Sequence, residues 1–392
     1  MKSIALCKNI EVLFALPRFA SRKALQALGL GRAPGTEPGR VLVACVAHMG
    51  DTLCALPGLH ALRAAWPHAR IFLTCPGALA SFIRRAPFQI TPLPMDDADP
   101  VKLLKALALQ RPFDEGFVIW HRRDVLLAQA LGCRRITAFK GFSRGIYARL
   151  IDEARPEPAM LNLEERIRSM LGAAPSSPGS AGVETASGPG ALKPGPAPCR
   201  FVLSDWYPEL RFPIRRNRNV FLQLGAKSGA KLLPPSSWRR IAGLVSSLGF
   251  HPILSGERSD APIADAIDPQ GRLERALGRW SLDALALELA KSSLLVTVDT
   301  GIMHLAKFTG VPVVAMFAGA SPERLRPSRY FGDCPFHAFQ AGVRCERKNP
   351  SCSALLRFCL QAEDGYSRCM RELPVEGILS CVEGILKGGA QA

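Results

Sequence analysis

The amino-acid sequence predicts an α/β protein in which two doubly wound domains turn parallel sheets towards a central cleft. Short apolar segments alternate with helical patterns from residue 40, and the alternation resumes at residue 219. Alternation of this kind is typical of parallel sheets covered by helices on both faces. Residues 172–198, between the two halves, are mostly Gly, Ala, Pro and Ser, which is the composition of a linker.

The strands are predicted where short runs rich in Val, Ile, Leu and Phe are bounded by turn residues. Such runs suit strands that are buried on both faces. The predicted strands are Val41–Ala47, Arg70–Thr74, Glu115–Trp120, Arg135–Phe139, Asn219–Leu224, Phe250–Ser255, Leu294–Val298 and Val311–Phe317.

Helices are predicted where apolar residues recur with helical spacing between those runs. The predicted helices are Thr52–Trp66, Gly77–Arg85, Val101–Gln110, Val125–Leu131, Ser237–Leu248, Leu282–Lys291, Ile302–Thr309 and Val375–Leu386. The domain organisation that follows has five segments: a basic leader at 1–39, a first domain at 40–171, a linker at 172–198, a second domain at 199–374, and a terminal helix and tail at 375–392.

The composition favours an anionic partner. The formal net charge is +17, and a surplus of this size attracts nucleic acid, an acidic membrane surface or a phosphorylated substrate. No RNP-like motif, zinc-finger spacing or basic zipper is present, so we expect no specific nucleic-acid partner. The basic leader either lies on an anionic membrane surface or is a solvated extension.

Cysteine usage and hydropathy favour the cytoplasm. The twelve cysteines are scattered through a long chain, unlike those of a small secreted scaffold, and no apolar run reaches transmembrane length. Four cysteines near the carboxyl terminus lack the spacing of a zinc site, so we expect reduced thiols there and no metal. They are Cys345, Cys352, Cys359 and Cys369.

The first candidate site follows the first predicted strand, at His48, Gly50 and Asp51. In open α/β sheets, ligands bind at the carboxyl ends of strands. Gly50 permits a tight turn there, and Asp51 is placed to act as a general base towards an attacking hydroxyl. His48 is the other candidate base, or it only contacts a ligand. The alternative is that Asp51 only caps the helix predicted at Thr52–Trp66.

The second candidate site is the Gly-rich loop after the strand Asn219–Leu224. It presents Lys227, Ser228 and Lys231 among glycines, a combination that suits phosphate although no P-loop motif is present. Glu257 follows the next strand and either accepts hydrogen bonds from ribose hydroxyls or caps a helix.

The third candidate site is the segment Asp299, Thr300, Gly301 and His304, where a buried strand turns into a helix. A glycine and a hydroxyl at the start of a helix favour an anion, and His304 lies within the first helical turn. The alternative is that Asp299 is a helix cap and His304 a hydrogen-bonded core residue.

Four segments occur in an order that resembles the bacterial ADP-heptose:lipopolysaccharide heptosyltransferases of glycosyltransferase family 9. They are MGDTLCALPGLHALR, GAKSGAKLLP, ILSGE and VDTGIMHLAKFTGVPVVAMF. The resemblance extends over roughly residues 40–387. It implies a GT-B fold of two Rossmann-like domains, the first binding the acceptor and the second the sugar-nucleotide donor.

The resemblance also implies an inverting, metal-independent transfer of a sugar, heptose in the best-known members, from a nucleotide diphosphate to a glycan hydroxyl. It implies that Asp51 is the catalytic base and Lys231 a donor-phosphate ligand. Asp299, Thr300, Gly301 and His304 would hold the diphosphate and sugar. Glu257 would bind the nucleoside.

The expected partners are therefore a nucleotide-sugar donor and a glycolipid or glycan acceptor, without a cofactor, at the inner face of the cytoplasmic membrane. Two other interpretations remain open from the sequence. One is a sugar-nucleotide epimerase or hydrolase on the same fold, and the other is a non-catalytic nucleotide-sugar-binding module. In the module, the lysines would matter and Asp51 would not.

Overall fold

The computed structural model divides the chain into two compact units, residues 1–197 and 198–392, and each is described by itself. The structure describes residues 37–95, 112–145, 147–156, 163–171, 201–210, 214–327, 331, 334–343 and 362–389. The linker, the helix predicted at Val101–Gln110 and residues 1–36 of the predicted leader lie outside the described residues.

The first unit is built on a six-stranded parallel sheet. Its strands stand in the order β3-β2-β1-β4-β5-β6, which is the Rossmann order. The strands are β1 (Arg40–Ala44), β2 (Arg70–Cys75), β3 (Ile90–Pro94), β4 (Glu115–Val118), β5 (Arg135–Phe139) and β6 (Glu153–Arg155).

Helices cover this sheet and close its core. Strands β1 and β4 are almost wholly buried because helices cover both faces, as their continuous apolar runs require. The helices of this unit are α1 (Met49–Ala65), α2 (Ala80–Arg84), α3 (Asp124–Ala130), α4 (Tyr147–Leu150) and α5 (Leu163–Met170).

The crossing of α1 with α5 depends on a glycine. A Cβ atom at Gly58 would lie 2.8 Å from Cδ1 of Leu171 and 3.3 Å from the Cα of Arg168. Only a residue without a side chain therefore lets α5 pack this closely on α1. This contact fixes the position of the helix that also carries Asp51.

The second unit repeats the first architecture. Its parallel sheet has the order β12-β11-β10-β7-β8-β9, which is the Rossmann order read from the other edge, and a small antiparallel hairpin follows it. The strands are β7 (Asn219–Gln223), β8 (His251–Gly256), β9 (Glu274–Leu277), β10 (Leu294–Val298), β11 (Val313–Phe317), β12 (Phe336–Gln340), β13 (Ala362–Glu363) and β14 (Tyr366–Ser367).

The terminal helix completes the core of the second unit. Its buried side chains, Ile378, Val382 and Leu386, belong to the same apolar cluster as Trp238 and Ile241. The helices of this unit are α6 (Leu203–Trp206), α7 (Pro235–Ser247), α8 (Ala261–Ile267), α9 (Leu282–Lys291), α10 (Gly301–Ala306), α11 (Pro322–Leu325), α12 (Arg368–Arg371) and α13 (Val375–Gly389).

The predicted elements agree with the structure where one long apolar run or helical period dominates. Strands Arg135–Phe139 and Leu294–Val298 and helix Leu282–Lys291 have the predicted bounds. The prediction was wrong at two boundaries that matter for the site: β1 ends at Ala44, and α1 begins at Met49. Strands β3, β6, β9 and β12 were not predicted, because they lie at or next to the edges of their sheets and carry proline or polar residues.

Among the described residues, no helix is both long and apolar enough to cross a membrane.

We predict opposite effects for two Gly→Ala substitutions in helices. Alanine at Gly58 would force α5 away from α1 and lower the free energy of unfolding by about 1 kcal/mol, since overpacking outweighs the gain in helix propensity. Alanine at the exposed Gly243 of α7, which meets no atom within 4 Å, would raise that free energy by up to about 1 kcal/mol. Thermal unfolding of both variants would test this, and a rise in melting temperature for Gly58→Ala would contradict it.

Candidate functional site

The topology defines one ligand-binding position in each unit. In a Rossmann-ordered sheet, the connections from the two central strands run in opposite directions and leave a crevice at their carboxyl ends. The central pair is β1 and β4 in the first unit and β10 and β7 in the second. Asp51 follows β1, whereas Lys231 and Asp299 follow β7 and β10.

In the second unit, Lys231 and Asp299 form an ion pair at this crevice. Lys231 Nζ lies 2.7 Å from Oδ2 of Asp299 and also donates to the Asp299 carbonyl oxygen at 3.3 Å. The Asp299 side chain is only 8% exposed and that of Lys231 19%. The pair joins the segments that leave two neighbouring strands, and it holds an ammonium group at the carboxyl edge of the sheet.

His304 is buried on α10, close to that ammonium group. Burial lowers the pKa of His304 well below 6.5, and the positive charges of Lys307 and Lys231 lower it further. The imidazole is therefore neutral at neutral pH and offers one N–H donor and one acceptor nitrogen. Lys307 is itself buried, with its ammonium 5.7 Å from the ring centre of Phe331.

The small hairpin of β13 and β14 holds the loop that carries Lys231. The hydroxyl of Ser367, on β14, donates a 2.7 Å hydrogen bond to the carbonyl oxygen of Ala230. Lys231 ends a short 3₁₀ turn at Gly229–Lys231 that starts after Ser228. Ser228 is half-buried and Lys227 is exposed, so the two predicted lysines have different environments.

Glu257 lies exposed beyond β8, at the start of a 3₁₀ turn, as the capping alternative predicted. Its backbone N–H donates to Oδ2 of Asp260 at 2.7 Å. That carboxylate lies over two glycines, since a Cβ atom would come within 2.0 Å of it at Gly225 and within 2.4 Å at Gly256. Burial raises the pKa of Asp260. Sequence reasoning missed Asp260, although a glycine at the end of β8 (Gly256) and another two residues after β7 (Gly225) signalled a close approach.

In the first unit, Asp51 lies in the first turn of α1. Its Oδ2 accepts a hydrogen bond from the His48 backbone N–H at 3.2 Å. The hydroxyl of Thr52 donates to the His48 carbonyl oxygen at 3.1 Å, and Gly50 is buried in the same turn. His48 itself is exposed at the N-cap, so Asp51 is anchored to the turn that precedes its helix.

The capping alternatives have different outcomes for the two carboxylates. Asp51 is not the N-cap, because α1 begins at Met49 and the cap position belongs to His48, but its carboxylate does cap the helix as the third-residue partner of a capping box. Asp299 is not an N-cap, because Thr300 holds that position before Gly301, and its carboxylate pairs with Lys231 instead.

A buried thiol lies beside the Asp51 turn. Burial raises the pKa of Cys45 well above 9.0, and the charges of Asp51 and Asp124 raise it further. Cys45 is therefore a protonated thiol at neutral pH. Of the four carboxyl-terminal cysteines, only Cys369 falls within the described residues, where it is half-buried and not part of a disulfide.

The sequence of the second unit matches a known family. Residues 199–342 match Glycosyltransferase family 9 (heptosyltransferase). That segment contains Lys231, Glu257, Asp299 and His304. No curated protein matches the chain.

Solved structures are similar over most of the chain. E. coli ADP-heptose lps heptosyltransferase II is 18% identical, with a TM-score of 0.62 over 90% of this chain and 99% of that one. The glycosyl transferase family 9 protein from Veillonella parvula is 16% identical, with a TM-score of 0.62 over 90% and 98%. E. coli heptosyltransferase WaaC with ADP-2-deoxy-2-fluoro heptose is 18% identical, with a TM-score of 0.59 over 77% and 93%.

At this level of identity, the structural likenesses establish the fold. The two parallel six-stranded sheets with their helices match the GT-B heptosyltransferase structures, which confirms the predicted α/β class. Residues 199–342 carry a domain of Glycosyltransferase family 9 (heptosyltransferase), which confirms the resemblance found in the sequence. The class of protein that this domain defines is that of the glycosyltransferases.

We predict a pH dependence of stability that arises from His304. In the folded protein the pKa of His304 lies well below 6.5, whereas in the unfolded chain it is about 6.5. The unfolded state therefore binds more protons below that pH, and the stabilisation present above it is lost as pH falls, by up to about 1.4 kcal/mol per pH unit. Thermal unfolding between pH 7.5 and about 5 should show a shallower decline for His304→Gln than for the wild type. Equal slopes would contradict the assignment.

Proposed function

We propose that this glycosyltransferase moves a sugar, heptose, from a nucleotide-diphosphate donor to a hydroxyl of a lipopolysaccharide-type or other surface glycan. The transfer is inverting and needs no metal. The observation that supports this most directly is the Lys231–Asp299 pair, placed with the neutral His304 at the crevice of the family 9 domain.

The chemistry of sugar transfer explains that arrangement. As the bond between the anomeric carbon and the donor phosphate breaks, negative charge grows on the departing diphosphate, and a fixed ammonium group stabilises it. Lys231 donates to both the carboxylate and the carbonyl oxygen of Asp299, and its ammonium group has a third N–H with which to bind a phosphate oxygen. The N–H of the neutral His304 adds a hydrogen bond without a second charge.

Asp51 supplies the proton acceptor in this proposal. The acceptor hydroxyl gives its proton to the Asp51 carboxylate while its oxygen forms the bond to the anomeric carbon from the side opposite the departing diphosphate. The configuration at that carbon is thereby inverted. The first-turn position on α1 and the hydrogen bond from the His48 amide hold the carboxylate in one orientation.

The remaining site residues follow from the same proposal. Glu257, exposed beyond β8, binds the nucleoside, while Ser228, Thr300 and Gly301 line the diphosphate. His48, Gly50 and Lys227 line the acceptor side.

The partners also follow from this chemistry. The solved E. coli relative WaaC carries an ADP-heptose analogue, which supports a nucleotide-sugar donor for this chain. The charge of +17 suits a phosphorylated glycolipid acceptor and contact with anionic lipid at the inner face of the cytoplasmic membrane.

We predict that Asp51→Asn abolishes transfer and spares donor binding. The amide still accepts the hydrogen bond from His48 but takes up no proton, so kcat should fall by about 10²–10⁴. The assay follows ADP release and the mass of the glycolipid, with ADP-heptose as donor and heptose-free lipopolysaccharide in detergent as acceptor. A rate within about threefold of the wild type would refute the base assignment. Free sugar or an isomerised donor released without acceptor would instead identify a hydrolase or an epimerase.

We predict that the donor raises the melting temperature in the presence of EDTA. A ligand that binds only the folded state stabilises it by mass action, by about 2.7 kcal/mol at 100 times its Kd. A screen of ADP, UDP, GDP and their sugars should show a shift with ADP and ADP-heptose, and Lys231→Met should weaken it. Melting-temperature shifts with UDP- or GDP-sugars alone would show that the donor carries a nucleotide other than ADP. A shift that is lost when EDTA is added would refute metal independence.

A further inference from the structure

A buried carboxylate in the first unit connects the two segments that leave the central strands of its sheet. Strands β1 and β4 are neighbours, with Ala44 paired to Val118 at their carboxyl ends. Asp124 is the first residue of α3, the helix that follows β4, and it is only 5% exposed. A carboxylate so little exposed is costly unless hydrogen bonds compensate for its lost hydration.

One oxygen of this carboxylate accepts two backbone hydrogen bonds. Oδ2 of Asp124 accepts from the N–H of Val46 at 3.2 Å and from the N–H of His121 at 3.3 Å. Val46 lies in the segment between β1 and α1, and His121 lies between β4 and α3. Asp124 therefore joins the chain that leads to Asp51 to the neighbouring strand connection.

The segment held by Asp124 has little apolar packing of its own. Val46 is 37% exposed, and its backbone is instead held by hydrogen bonds. The Cys45 N–H donates to Oγ1 of Thr74 at 2.7 Å, from the side of β2. Asp124 holds the next residue, Val46, from the side of β4. The backbone that follows β1 is therefore hydrogen-bonded to residues on or after both neighbouring strands.

We propose that Asp124 is a positioning residue that acts through Asp51, because it sets the path of the backbone from β1 into α1. This inference rests on the proposed function of Asp51 as the base. A general base must lie within hydrogen-bond reach of the proton it removes, and a displacement of about 1 Å can cost 10² in rate. The pKa of Cys45, raised by both Asp51 and Asp124, places both carboxylates near the same thiol.

The first unit offers a matched control. Oδ2 of Asp114 accepts hydrogen bonds from the N–H groups of Gly39 at 2.9 Å and Arg40 at 3.0 Å, at the opposite end of the same strand. Asp114 and Asp124 therefore hold the two ends of β1 by the same kind of bond. Only the Asp124 end leads into the turn that carries Asp51.

The experiment compares Asp124→Ala with Asp114→Ala in the ADP-heptose assay, with rates expressed per folded protein. We expect Asp124→Ala to lower kcat by about 30-fold or more with the donor KM within about threefold, and Asp114→Ala to change kcat by less than about threefold. In the Asp51→Asn background, Asp124→Ala should cost less than about threefold, since residues that act as a unit are not additive. Equal losses for the two alanine variants, or an additive double variant, would overturn the inference.

Two further measurements decide the matter if Asp124→Ala does not fold. Asp124→Glu keeps the charge but displaces the carboxylate, so we expect at least about a tenfold loss of kcat, and wild-type kcat would overturn the inference. In the unchanged protein, the Val46 amide should exchange slowly with deuterium, and rapid exchange would overturn the inference whatever the activity. By contrast, wild-type protein that transfers no sugar, or Asp51→Asn with full activity, would refute the proposed function instead.

Discussion

The ion pair between Lys231 and Asp299 is the interaction on which the second unit's site depends. It joins the ends of two neighbouring strands through side chains that are largely buried, so the loss of either partner leaves a charge in a place with little water. The same pair keeps an ammonium group at the sheet edge, and the charge of Lys231 adds to burial and to Lys307 in lowering the pKa of His304. One ion pair therefore fixes both the path of the two loops and the position of the positive charge at the sheet edge.

In the first unit, the site residues are held by hydrogen bonds between carboxylates and backbone N–H groups instead of by an ion pair. Carboxylates accept hydrogen bonds from backbone N–H groups at both ends of β1. Asp114 is the acceptor at the start of the strand, and Asp124 is the acceptor just beyond its end. Asp51 repeats the pattern within its own turn, where it accepts the His48 amide. Because a backbone amide has less conformational freedom than the end of a long side chain, such bonds place a carboxylate with less freedom than a bond between two flexible side chains.

Close approach of backbone and carboxylate recurs in the second unit. Asp260 lies over Gly225 and Gly256 at distances that no side chain would permit, and it accepts the amide of Glu257. A glycine is therefore required at both positions for a steric reason, independently of any ligand. This contact links the loop that follows β7 to the one that follows β8, beside the segment that carries Lys231.

The sequence by itself determined the α/β class, the two domains and most central strands, because buried parallel strands leave continuous apolar runs such as Leu294–Val298. It also indicated Asp51, Lys231, Asp299 and His304, since polar residues that follow such runs lie at the carboxyl edge of a sheet. Only the tertiary structure decided that α1 begins at Met49, that Lys231 pairs with Asp299, that Asp124 holds the Val46 amide, and that Asp260 lies over Gly225. The last three contacts join residues far apart in the chain, and which side chains meet there depends on strand order and packing, which no local pattern records.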